Sequence, residues 1–328
     1  MRSPLLDIPG AVAAQAPDAD VAAHYGDPFA EQRALLNGEA VVDRSNREVV
    51  RVTGPDRLTW LNDLSSQKLV DLVPGQPTQT LVLDLQGRVE HHLTLVDDGE
   101  SIWAHVEPGA GSELVTYLDK MRFMLRVEVA DLTVEYAVLT TRAELGPEAL
   151  PEGTVAIGED LLVPRRHLAE HLGLRPAGLW AYEAERIADH RPRFGQETDH
   201  KTIPHEVGWI GAAVHLSKGC YRGQETVARV HNLGHPPRRL VFLHLDGSVD
   251  TLPPHGAPVV HGDAEVGFVG SSARHHELGP IALALVKRTV PVDSPLLAGG
   301  VAASQEVIVP PDAGRNVAVD PALRRRIR

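Results

Sequence analysis

In the first third of the chain, apolar and polar positions alternate most clearly in two stretches. REVVRV (47–52) has a strand pattern that runs into a turn at Gly54-Pro55. TQTLVLDLQGRVEHHLTLVDDG (78–99) predicts a strand, a turn at Gln86-Gly87-Arg88 and a second strand ending at Asp97-Asp98-Gly99. Between them, DRLTWLNDLSS (56–66) sets Leu58, Leu61 and Leu64 at helical spacing. SIWAHVEP supplies a further strand, residues 111–125 form an amphipathic helix through Leu114, Leu118, Met121 and Leu125, and VEVADLTVEYAVLT returns to strand. Strands interleaved with helices make this half α+β.

Beyond a Gly/Pro-rich passage, EDLLVP predicts a strand and RRHLAEHLG a helix closed near Gly173. WAYEAERIADHRPRFGQE begins as a helix and has to leave it near Pro192. From residue 236 the pattern changes to short β-rich segments divided by Pro, Gly and Asp, which predicts a compact all-β domain. The expected divisions are a loosely ordered extension over 1–25, a first α+β lobe over 26–135, a second over 136–235 and a β-barrel-like domain over 236–328, with the terminal RRRIR as a solvated tail. GQET occurs at 195–198 and again at 223–226, but the flanking residues do not match, so no repeat is read from it.

Composition narrows the classes. With 328 residues the chain can bury a sizeable core, and a net charge of −12 speaks against a nonspecific grip on nucleic acid or an anionic membrane. One cysteine makes neither an intramolecular disulfide nor a cysteine-rich metal cage. Pro4, Pro9 and early acids interrupt any signal-peptide pattern and no run approaches the length of a membrane span, so a cytoplasmic protein is expected. There is no GxxxxGK[ST] phosphate loop, no GxSxG elbow and no strand-linked GxGxxG.

The chemistry concentrates in KGCYRGQETVAR (218–229), which holds the single cysteine, Cys220. A cation near a thiol favours the thiolate, which makes Lys218 the candidate activator, and glycines at 219 and 223 allow close backbone approach. Tyr221 offers a face for a flat ligand, Gln224 and Glu225 offer hydrogen bonds, and Arg229 stands four residues after Glu225, where a helix would pair them. Upstream, Arg186, Arg191 and Arg193 suit carboxylate recognition. His190, His200, His205 and His215 lack metal-ligand spacing, and His91-His92 on a strand would face opposite ways.

These residues resemble the folate-binding iron-sulfur-cluster assembly proteins related to glycine-cleavage aminomethyltransferase. KGCYRGQETVAR carries that branch's KGCYxGQE and following Val-Ala-Arg, and the likeness runs from GPDRLTWLNDLSS through LDLQGRV and TIPHEVGWIGAAVHL into the C-terminal domain, over roughly residues 45–320. The resemblance implies a three-lobed fold with a central channel and a C-terminal β-barrel-like domain, a tetrahydrofolate ligand, no stably bound metal, and a role in iron-sulfur maturation that supports tRNA-modifying iron-sulfur enzymes. By the same resemblance Cys220, Lys218, Gln224 and Glu225 form the working thiol site, with Cys220 a transient metal ligand, and Arg186, Asp189, Tyr221 and Arg229 contact the cofactor.

Two departures bear on that implication. GRVEHHL places His91-His92 where the aminomethyltransferase branch carries an acidic pair, with Glu90 and Asp97 as the acids that would have to compensate geometrically. In ERIADHRPRFGQE, Ala188 stands where relatives carry a ring-recognising glutamate, and Glu185 or Asp189 replaces it only if the backbone redirects one of them. The expectation is therefore an assembly factor rather than a classical aminomethyltransferase, a monomer whose partners are iron-sulfur clients and a small-molecule folate. Folate-dependent one-carbon transfer and a noncatalytic folate scaffold are the alternatives.

Overall fold

The computed structural model describes residues 1–316, so RRRIR and the end of the last domain lie outside the described residues. The first sheet is antiparallel throughout, in the order Thr78–Leu83, Val89–Asp97, Ser101–Val106, Glu48–Thr53, Glu128–Asp131. Its inner face packs Val50, Val52, Leu93, Leu95 and Ile102 against Trp60 and Leu61 of the helix Arg57–Leu64 and Leu114 and Leu118 of the helix Gly111–Met121. That second helix stops short of the predicted residue 125, and Met121 and Leu125 lie exposed instead of joining the stripe.

The second sheet runs Val155–Ile157, Asp160–Pro164, Tyr136–Thr141, Ala40–Asp43, Arg175–Ala177, with only the last strand parallel to its neighbour. Because Ala40–Asp43 crosses into this sheet, the sequence boundary at 135 does not separate the two lobes cleanly. RRHLAEHLG is a 3-10 segment, Arg165–Gly173, rather than the predicted α-helix: His171 and Leu172 take positive φ and break it.

Residues 1–25 are packed rather than loose. Leu5 and Val21 are buried, the backbone N–H of Ser3 donates to the Asp20 carbonyl at 2.8 Å, and the Ser3 hydroxyl donates to the buried Asp43. The segment has little regular structure of its own, and these buried apolar residues and short polar ties hold it in place of a long helix or strand.

The strands Arg238–Leu245, Gly279–Lys287, Ala264–His275, Pro258–His261, Leu296–Ala298 and Val301–Val307 close into a barrel, as the β-rich pattern predicted. Alternation along Arg238–Leu245 sends Val241, Leu243 and Leu245 into the barrel core and Leu240 and Phe242 outward, where they pack with Trp209, Val227 and Tyr221. Among the described residues no helix is long and apolar enough to cross a membrane.

Candidate functional site

A cavity of about 790 Å³ opens where the two sheets meet the segment 182–212. The first sheet contributes Thr78, Gln79, His92, Thr94 and His105, the second Asp160, the helix Leu179–Ala188 contributes Tyr182 and Arg186, and the segment after it Asp189, His190 and Arg191. His190 ends that helix with φ +57°, a left-handed turn that releases the chain before Pro192 as the sequence required.

One wall is flat and apolar. The His92 ring stacks on Trp209 with centroids 4.6 Å apart and planes 25° apart, and its Nε2 lies 3.0 Å from Gln79 Oε1. Burial, and after it the Arg47 charge, pushes the His92 pKa down to about 3, so the ring is neutral at physiological pH. Tyr182 stands on another side with the Arg44 guanidinium 3.9 Å from its ring centre.

Beneath these faces runs a chain of buried charges. Arg44 pairs with Asp160 at 2.8 Å, and Asp160 with His105 Nε2 at 2.9 Å. Arg47 Nε donates to His105 Nδ1 at 2.7 Å and Arg47 also holds Glu107. Arg193 reaches Glu107 at 2.7 Å and Asp18 through two bonds of 2.7 and 2.8 Å, while its backbone N–H donates to Glu197. Glu197, fully buried, also pairs with Arg186, which in turn holds Glu183 at 2.6 Å. Burial alone would raise the Glu107 carboxyl, but Arg47 and Arg193 hold it well below the usual carboxylate range. Burial, and then Arg47, pulls His105 down to about 4 against the opposing pull of Asp160.

Of the cofactor contacts expected from sequence, Arg186 and Asp189 line the cavity and Tyr221 and Arg229 do not. Tyr221 is packed in the hydrophobic core beneath the barrel, so its face is unavailable to a ligand. Arg229 and Glu225 are both exposed on the helix Gln224–Leu233, and among the described residues neither makes an ion pair. Glu90 pairs with Arg222 at 2.9 Å and Asp97 is buried in a two-bond pair with Arg57, so neither supplies an acid to the larger cavity.

The KGCYRGQE motif sits on the loop that leaves the cavity wall at Trp209 and Ala212, and Cys220 is exposed there. The Lys218 ammonium does not serve the thiol as expected. It is buried and donates to the carbonyls of Asn62, Ser65 and Gln67, the last two at 2.5 and 3.1 Å, and burial pulls its pKa down to about 8. The lysine thereby ties this loop to the end of the helix Arg57–Leu64.

Gly223 has φ +83°, and a Cβ there would stand 2.6 Å from the Asp84 carbonyl oxygen and 2.9 Å from Gly87 Cα. The motif thus docks on the tip of the same hairpin that carries His92. Gly223→Ala is expected to cost at least about 2 kcal/mol, from left-handed backbone strain plus the clash. Urea unfolding checks this, and an unchanged midpoint would contradict the docking.

Glu185, His275 and His276 bring ligand atoms within 4.8 Å of one another. However, His275 Nδ1 accepts the backbone N–H groups of Glu277 and Leu278, which puts the proton on Nε2 and leaves that nitrogen without a lone pair for a metal. Sequence reasoning missed Trp209, His105, Glu107, Asp160 and Glu197. The one available signal was alternation along SIWAHVEP, which sends His105 and Glu107 to one side.

Comparison with known proteins agrees with this architecture. Residues 238–324 match the glycine cleavage T-protein C-terminal barrel domain. The crystal structure of glycine cleavage system aminomethyltransferase T from Bartonella henselae superposes with a TM-score of 0.76 at 18% identity, covering 96% of this chain and 98% of that one. The fold is therefore aminomethyltransferase-like. An aminomethyltransferase of Synechococcus sp. (strain CC9902) is 28% identical over 78% of this chain and 82% of its own length. One of Geobacillus kaustophilus is 26% identical over 79% and 82%, and a putative chloroplastic transferase of Arabidopsis thaliana is 26% identical over 65% and 57%. These names favour the aminomethyl-transfer reading of the sequence over the assembly reading.

Proposed function

We propose that the protein binds a reduced folate of the tetrahydrofolate class in the 790 Å³ cavity and acts as an accessory factor in iron-sulfur maturation, with Cys220 as its contact thiol. The observation that carries the folate reading is the flat His92 ring, half-buried at the wall and backed by the buried Trp209, in a cavity that arginines and carboxylates also line. A pterin ring needs such a face, and its anionic tail needs a cation. Arg44, Arg47, Arg186 and Arg193 are engaged in the buried charge chain. Arg191, half-buried at the wall, pairs with Asp189 at 3.2 Å, but among the described residues its Nε has no partner, and it is the residue that would take the tail. Asp189, exposed and holding Arg142 at 3.1 Å and Arg191 at 3.2 Å through one oxygen, would accept a ring-edge or amide N–H with the other.

The accessory role rests on the exposed Cys220 within KGCYRGQE and on the residues at 91, 92 and 188, which offer no carboxylate for an amine. A single thiol cannot hold a four-cysteine cluster, so ligation would be shared with a client or a small thiol. Aminomethyl transfer is the second reading, favoured by the names of the relatives.

Cys220→Ala separates the two. In a reactivation assay of an iron-sulfur dehydratase stripped of its cluster, the variant is expected to lose at least about tenfold of the stimulation while its folate affinity and unfolding midpoint stay unchanged. Full stimulation by a folded variant would overturn the thiol role. Release of a one-carbon folate from an aminomethyl donor, unaffected by the substitution, would establish the transferase reading instead.

A further inference from the structure

A second cavity, of about 380 Å³, shares only Arg193 with the first among the residues that line it. It is formed by the N-terminal segment 14–18, the first turns of the helices Pro28–Leu36 and Leu179–Ala188, and residues 270–274 of the barrel strand Ala264–His275. The two helix turns contribute Phe29 and Trp180, 42% and 52% exposed, whereas Trp60, Trp103 and Trp209 are all buried. The Trp180 ring is braced by that of His24, with centroids 4.9 Å apart. Two large aromatic side chains facing one cavity suit a flat ligand.

The polar lining decides the charge of that ligand. Asp18, Glu183 and Arg193 are spent on one another. Gln32 donates to the Arg274 carbonyl and accepts the His276 N–H, each at 2.8 Å. The Ser272 hydroxyl donates to the Pro253 carbonyl at 2.7 Å, and His255 Nδ1 to that of Gly270 at 2.9 Å. Arg274, half-buried, pairs with Asp250 at 2.6 Å. A charged ligand would give up its hydration here and find no unspent countercharge. The side-chain amides of Gln15 and Gln196 have no partner among the described residues, and each can both donate and accept.

We propose that this cavity is a second small-molecule site, separate from the folate cavity, and that it takes a flat, uncharged heteroaromatic ligand of one or two rings with an amide-like edge. Phe29 and Trp180 supply the apolar faces, and Gln15 and Gln196 the edge contacts. The volume is at the low end of what small-molecule sites occupy, which limits the ligand to that size.

The full chain grown with fluorotryptophan gives one fluorine resonance for each of its four tryptophans, and Trp180→Phe identifies that of Trp180. Titration with carbostyril, a neutral bicyclic lactam, is expected to move the Trp180 resonance saturably, with half-saturation at about 100 μM or tighter. The resonance of Trp209, in the wall of the folate cavity, is expected to stay in place. Phe29→Ala, at an exposed position, is expected to weaken binding at least about fivefold through loss of one face, and Gln196→Leu at least about threefold through loss of the edge contact. Quinaldate, a bicyclic ring bearing a carboxylate, is expected to bind at least about tenfold more weakly than carbostyril. No saturable movement of the Trp180 resonance, movement confined to Trp209, unchanged affinity in either variant, or equally tight binding of quinaldate would each overturn the proposal. The folate reading is decided separately, by tetrahydrofolate.

Discussion

Arg193→Ala is expected to destabilise the protein by about 3–5 kcal/mol, the cost of leaving buried charges without their partner. Arg193 is 8% exposed and joins three parts of the molecule: Asp18 in the N-terminal segment, Glu107 after the strand Ser101–Val106, and Glu183 on the helix Leu179–Ala188. Its removal strands Asp18 and leaves Glu107 to Arg47 alone in a site that water reaches poorly, and the repulsion between the two carboxylates adds to the desolvation cost. Arg193→Lys retains the charge but not the fork that reaches Asp18 with two nitrogens, so an intermediate loss is expected. Adding Asp18→Asn to Arg193→Ala is expected to restore part of the stability by removing one stranded charge. Urea midpoints for the set check this, and a loss below about 1 kcal/mol in Arg193→Ala would mean that the charge chain is not what ties the lobes together.

Mild acid is expected to unfold the protein in a window set by histidines rather than carboxylates. Burial, with neighbouring positive charge, holds His92 near 3 and His105 and His205 near 4 in the fold, below the ordinary 6.5. In each case the unfolded chain binds the proton more readily than the folded one. Stability from these groups is therefore complete above about pH 6.5 and lost progressively as pH falls through the folded values. Glu107 and Asp160 are held well below the carboxylate range by Arg47, Arg193 and Arg44, so their contribution disappears only at lower pH. His205 isolates the effect, since it is buried, neither ring nitrogen has a partner among the described residues, and the His231 ring stands 6.1 Å away. His205→Phe strands no hydrogen-bond partner and is expected to flatten the fall in the urea midpoint between pH 6.5 and 4. A pH profile identical to wild type would contradict the assignment.

Much of the local structure is legible because local rules decide it. Val49, Val50 and Val52 alternate as a strand, Pro192 stops a helix, and the Pro/Gly-divided β segments announce the barrel. The charge chain is not legible, because Asp18 and Arg193 are 175 residues apart and Glu107 and Arg193 are 86 apart. No pattern along the chain distinguishes such residues from solvated surface. The site was half legible for the same reason. Alternation placed His91 and His92 on opposite faces, yet only the fold brings Trp209 against His92. Lys218 and Tyr221 look like site residues in a string of polar chemistry, but the chain uses them to seat the loop: the ammonium on three carbonyls, the ring in the core. Cys220 alone of the first four motif positions keeps a reactive side chain at the surface.

The central claim is that the cavity between the two sheets takes a reduced folate on the His92–Trp209 wall. Titration of the protein with tetrahydrofolate under anaerobic conditions, followed by calorimetry on wild type and Trp209→Ala, tests it most directly. Saturable binding at about micromolar strength or tighter, weakened at least about tenfold in Trp209→Ala because the His92 ring loses the buried face that backs it, is the predicted result. Absence of saturable binding, or binding indifferent to Trp209, would contradict the account.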